Sequence, residues 1–82
     1  MVTLMLVMWA CGGPLGSYND GIDAYDHGRY TEAISHYDKA IQLKPNYAKA
    51  YVNRGIAYEM LGDSYKATRD YDKACELDSS LC

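Results

Sequence analysis

The chain has 82 residues and a formal net charge of -3, from eight Lys and Arg against eleven Asp and Glu. At that length it makes one small domain, and a chain of this size buries only about 60% of its unfolded surface, so the core is thin. A mildly acidic balance with no cluster of Lys and Arg leaves no electrostatic footprint for phosphate, which argues against nucleic acid as a partner.

Met1 to Ala10 is apolar except for Thr3, and Cys11-Gly12-Gly13-Pro14-Leu15-Gly16 follows. A helix needs about 20 apolar residues to cross a bilayer, so this run does not span one. Its length suits the apolar part of a secretory signal. Ala10 before Cys11 resembles the end of a bacterial lipoprotein signal, which implies a lipid on Cys11 and a place in the cell envelope, the periplasm or the exterior. Met8 and Trp9 depart from that pattern, and neither Lys nor Arg precedes the run. The other reading is an apolar arm folded onto the exposed end of the domain, with a cytoplasmic location; both stay open. Residues 1–16 are therefore set apart as a leader with a Gly/Pro linker, and residues 17–82 as the folded part.

Ser17-x-x-Asp20 has the spacing of a capping box and predicts a first helix from about Tyr18 to His27. Asp20, Asp23 and Asp26 recur every three residues along it and read as a solvated outer stripe; a calcium loop needs alternating oxygen ligands instead. Gly28 closes this helix as a left-handed residue. Thr31 is the expected N-cap of a second helix, with Glu32 at the positive end of its dipole. Ala33, Ile34, Tyr37, Ala40 and Ile41 share one face of it, and Pro45 ends it after Lys44.

Asn46 is the expected cap of a third helix from about Tyr47 to Leu61. Its Ala48, Tyr51, Val52, Gly55, Ile56, Tyr58, Met60 and Leu61 surround the axis, which predicts burial on several sides. Small residues at Gly55 and Ala67 allow the third and fourth helices to approach closely. Gly62 and Asp63 turn the chain into a fourth helix that runs to about Asp78, with Thr68 towards its outer side.

A displacement of 34 residues brings Gly28 onto Gly62, Ala33 onto Ala67, Tyr37 onto Tyr71, Ala40 onto Ala74 and Leu43 onto Leu77. Asp38-Lys39 returns as Asp72-Lys73, and Asn19, Gly21 and Ile22 return as Asn53, Gly55 and Ile56. That period belongs to a helix-turn-helix repeat. With Tyr51-x-x-Arg54-Gly55-x-x-Tyr58 followed by Gly62, Ala67, Tyr71 and Ala74, the second unit resembles a tetratricopeptide repeat. The first unit keeps Gly21, Gly28, Ala33, Tyr37, Ala40 and Pro45, and departs at Ser17, Asp20 and Ala24; the second has Ser79 in place of the proline.

The resemblance implies an all-α fold of antiparallel helix-turn-helix repeats, an α-solenoid of two repeats and four helices over residues 17–46 and 47–80. It also implies a protein- or peptide-binding groove on the first helix of each unit, which maps to Tyr18, Ile22, Tyr25, Lys49, Val52, Ile56, Glu59 and Met60. Some members of the family clamp a C-terminal carboxylate with Lys, Asn and Arg. Asn53 is present here, but Tyr18 and Ile22 stand where a Lys and an Asn are wanted. Two repeats are fewer than the three or so that usually bury a continuous apolar face, so a partner, flanking sequence or a second copy of the chain is expected to cover part of it.

Chemistry is sparse. His27 suits a helix end and His36 follows Glu32 at the spacing of a surface pair, with no nucleophile placed for either. The glycines serve the repeat and form no phosphate loop, so neither enzymatic activity nor a metal or cofactor is implied. Cys75 replaces Ile41 on the packed face of its helix and reads as a small buried hydrophobe. In a continuous helix Cys82 would lie about 10 Å away, beyond disulfide reach, but Asp78-Ser79-Ser80 ends the helix and lets the chain fold back. The run Lys73 to Leu77 with a second cysteine after it resembles secreted bacterial helical repeats that carry a disulfide per unit, which implies a Cys75–Cys82 bond in an oxidising compartment. The expected function is a non-catalytic protein-interaction module; the alternative is a self-associating repeat whose groove is filled by another copy.

Overall fold

A computed structural model describes residues 13–82. The two readings of residues 1–11, a lipidated Cys11 or a folded arm, fall outside the described residues. Four helices follow in order: α1 (Pro14–Asp26), α2 (Tyr30–Leu43), α3 (Ala48–Met60) and α4 (Ser64–Leu77), then a 3-10 turn at Ser79–Leu81. Among the described residues there is no strand, and no helix is long and apolar enough to cross a membrane.

Short connections force consecutive helices to run antiparallel. The pairs α1/α2 and α3/α4 pack most extensively, α2 packs on α3, and α1 meets α3 lightly. Helix α1 begins four residues before the expected start, at Pro14, because proline at the first helical position loses no hydrogen bond and has its φ already set. Part of the expected linker is thus helical. Ser17 is no cap: its amide donates to the Gly13 carbonyl at 3.2 Å, and it is buried inside the helix.

Both glycine turns are built alike. Gly28 and Gly62 have φ of 75° and 83°. After α1, the Gly28 and Arg29 amides donate to the Tyr25 and Ala24 carbonyls, each at 2.9 Å; after α3, the Gly62 and Asp63 amides donate to Glu59 and Tyr58 at the same distance. These paired bonds close a helix with its left-handed residue. They also fix where the next helix starts, at Tyr30 and Ser64. Thr31 consequently falls inside α2 and caps nothing; Arg29 holds the cap position without a side-chain acceptor. Asn46 is likewise displaced, since Tyr47 occupies the α3 cap position. Of the four helices described, only α4 has a side-chain cap, with Asp63 Oδ1 accepting from the Lys66 amide at 3.1 Å.

Alanine dominates the interior. Ala33, Ala40, Ala50, Ala57, Ala67 and Ala74 are at most 1% exposed, and among the described residues Tyr37 is the one large side chain buried to that degree. Small side chains bring the backbones together. A Cβ added to Gly55 would lie 2.7 Å from Tyr71 Cε1 and 3.2 Å from the Ala67 carbonyl, and one added to Gly21 would run into the Tyr37 ring. Each unit therefore seats a tyrosine of its second helix on a glycine of its first.

Helix α3 is less enclosed than its composition predicts. Ala50, Gly55 and Ala57 are buried, but Met60 and Leu61 are about half exposed. The reason is that α2 and α4 cover two sides while α1 touches a third only lightly. Cys75, expected in the core, is only partly buried, as is Ile41 at the matching position.

Candidate protein-binding cleft

Ile22 and Ile56 occupy matching positions in the two units, and their helices, α1 and α3, come side by side. Ile22 and Tyr25 from α1, Asn53 and Ile56 from α3, and Tyr37 from α2 behind them line a cleft of about 240 Å³. Its walls are mainly apolar. The Asn53 amide is the principal polar feature, and its Nδ2 donates to the Tyr18 hydroxyl at 3.0 Å, tying α3 to α1 across the cleft.

Tyrosines brace one end. The Tyr18 ring lies 6.0 Å from Tyr37 and 5.0 Å from Tyr47, centroid to centroid. Tyr25 meets Tyr30 edge-on at 5.2 Å. Such tilted pairs favour the positive edge of one ring against the negative face of the other. Burial, with Tyr18 adding to it, pushes the Tyr37 phenol up to about 12, so it stays neutral throughout the physiological range.

The eight residues expected in the groove separate into three groups. Ile22, Tyr25 and Ile56 line the cleft. Tyr18 borders it through Asn53, and Val52 is partly buried on the same helix. Lys49, Glu59 and Met60 are exposed and lie outside the cleft lining. Glu59 accepts a hydrogen bond from the Tyr71 hydroxyl of α4, so it is engaged within its own repeat. Asn53 and Tyr37 complete the lining without having been assigned to it. Asn53 does carry a sequence signal, since it repeats as Asn19.

Behind the cleft, Arg54 holds three helices. Its Nε and Nη2 donate to Asp70 of α4 at 2.9 and 2.7 Å, and its Nη1 donates to Asp38 of α2 at 2.8 Å. The hydrogen bonds to Asp70, opposed by burial and supported by Asp38, hold the guanidinium charged. Arg54 and Asp70 side chains are 20% and 6% exposed, so the pair sits largely out of water. Among the described residues no group of three His, Cys, Asp or Glu is placed to hold a metal.

Cys75 and Cys82 come together at the far end of α4, with Cα atoms 4.7 Å apart, inside the range a disulfide spans.

A family model described as a TPR repeat matches residues 16–62, and another described as a tetratricopeptide repeat matches residues 48–81. The chain is similar to Hsp70-Hsp90 organizing protein 3 of Arabidopsis thaliana, at 42% identity over 53 residues, 65% of this chain and 10% of that protein. It is 40% identical over 61 residues to Hsp70-Hsp90 organizing protein 1 of Glycine max, covering 74% of this chain and 11% of that protein. Hsc70-interacting protein 1 of Drosophila melanogaster is 41% identical over 58 residues, 71% of this chain and 15% of that protein. The chain thus spans between 10% and 15% of the length of these relatives.

Proposed function

Since the chain belongs to the tetratricopeptide repeat family, we propose that it is a non-catalytic protein-interaction module that takes an extended peptide segment along α1 and α3. The observation that carries this reading is the cleft between Ile22, Tyr25 and Ile56, which is shaped for one apolar side chain, with the Asn53 amide available to a peptide group. The names of the relatives point to proteins of the Hsp70, Hsc70 and Hsp90 kind as a partner class. Tyr18 and Ile22 favour an apolar anchor over a terminal carboxylate, because neither brings a positive charge or an amide to the site.

Isothermal titration with short extended peptides tests this. One peptide carries a central leucine, a second carries serine there, and each is made with a free and an amidated C-terminus. The leucine peptide binds and the serine peptide does not, whichever terminus is used, and Ile56→Asp abolishes the binding. Dependence on the free carboxylate alone would overturn the reading.

Self-association is favoured by exposed Met60, Leu61 and Tyr65, which lie outside the cleft lining, and sedimentation over a concentration series tests it. A membrane tether through a lipid on Cys11 rests on the apolar run ending in Ala10, and a change in membrane fractionation on Cys11→Ser is the outcome it requires.

A further inference from the structure

The turn after α4 repeats the linker between the two units. Lys44 after α2 has φ -142° and ψ 87°; Asp78 after α4 has φ -149° and ψ 105°. The Lys44 amide donates to the Ala40 carbonyl and the Asp78 amide to Ala74, both at 2.9 Å. Next, the Tyr47 amide donates to Lys44 at 3.0 Å and the Leu81 amide to Asp78 at 2.9 Å. The cap conformation and these two bonds thus match, and Cys82 arrives where Ala48, the first residue of α3, stands in the earlier linker; there the two part, the Ala48 amide donating to Asn46 at 2.9 Å and the Cys82 amide to Ser79 at 3.3 Å. Cys75 stands where Ile41 does.

The side chains that stiffen the two linkers differ. The first contains Pro45, whose ring fixes φ. The second has Ser79 there and relies on Asp78, whose Oδ1 accepts from the Ser80 amide at 3.0 Å and the Ser80 hydroxyl at 2.7 Å. Those groups are exposed, and such bonds are individually weak. What brings the end of this linker back to α4 is the cysteine pair, with Cα atoms 4.7 Å apart.

We propose that Cys75 and Cys82 are a thiol–disulfide exchange site whose oxidation locks the segment after α4 into the inter-repeat linker geometry. The ligand class is a small-molecule disulfide such as oxidised glutathione. The exposed Cys82 thiolate attacks it, forming a mixed disulfide and releasing one glutathione thiolate. The partly buried Cys75 thiolate then attacks the Cys82 sulfur and releases the second. The two protons the cysteines lose are carried away by the two glutathione thiols. Closure constrains the turn, and reduction leaves it held by the Asp78 contacts and the Cys82 amide bond to Ser79.

The test uses the full chain carrying Cys11→Ser, equilibrated with oxidised or reduced glutathione. Thiols are counted by alkylation and mass, and amide exchange is followed residue by residue. Oxidation removes both thiols within one chain and slows exchange of the Asp78 and Leu81 amides about tenfold, and Cys75→Ser or Cys82→Ser abolishes the response. A stable glutathione adduct on Cys82 without closure, a bond only between chains, or equal exchange in both states would overturn the proposal. Helicity of each variant by circular dichroism separates a lost response from a lost fold.

Discussion

Arg54 of α3 grips Asp70 of α4 at two points, Nε to Oδ2 at 2.9 Å and Nη2 to Oδ1 at 2.7 Å, so a largely buried carboxylate is satisfied by a single planar partner. Removing that partner leaves Asp70 charged and desolvated. Arg54→Ala should cost about 3 to 5 kcal/mol, whereas Asp38→Ala, which removes an exposed partner, should cost under about 1 kcal/mol. The double replacement Arg54→Met with Asp70→Leu should be more stable than Arg54→Ala. Urea midpoints of the four proteins check the ordering.

Two glycines of α1 should respond in opposite directions. At Gly21 a methyl meets the Tyr37 ring, so Gly21→Ala should destabilise by about 1 to 3 kcal/mol through overpacking. At Gly16 nothing lies within 4 Å of an added Cβ, so Gly16→Ala should stabilise by about 0.5 to 1 kcal/mol through helix propensity. Thermal melts that move the same way would refute the assignment of Gly21 to a packing role.

The caps give a second matched pair. Asp63→Ala removes the acceptor for the Lys66 amide and should cost about 1 kcal/mol. Arg29 holds the same position before α2 without an acceptor, so Arg29→Asp should gain about 0.5 to 1 kcal/mol by supplying one. Denaturant unfolding of each variant against the parent measures both.

Alkali should unfold the protein through its tyrosines. Burial first, and then Tyr18, raises the Tyr37 phenol from 10.0 to about 12, so the folded state holds its proton more tightly than the unfolded chain. Its contribution is intact below pH 10 and is lost as pH climbs from there through about 12, a loss of about 2 to 3 kcal/mol for this residue. Burial, with the Glu59 hydrogen bond second, pushes Tyr71 in the same direction. Phenolate absorbance recorded with helicity should show ionisation of these two groups coinciding with unfolding, and Tyr37→Phe should remove part of the pH dependence.

The helices and the two glycine turns were legible because they follow from repetition and backbone geometry, which a period of 34 residues displays directly. Thr31 and Asn46 misled because helix entry is set by the preceding turn, and that turn delivers a different residue to the cap. Arg54 was obscured for another reason. Asp38 lies 16 residues before it and Asp70 16 after, so neither partner falls at a within-helix spacing. The cleft was half legible: the matching isoleucines announced it, while Tyr37 enters from the second layer, where apolar spacing signals only core.

The alanine interior separates two roles that most small proteins must combine. Cohesion comes from methyl groups and backbones at close quarters, and of nine tyrosines only Tyr37 is almost wholly enclosed. The large side chains the frame does not need are the outward ones, Met60, Leu61 and Tyr65, whereas Tyr18, Ile22 and Tyr25 also pack on the core. Such a scaffold can change its choice of visitor by exchanging those outward groups while its architecture stands.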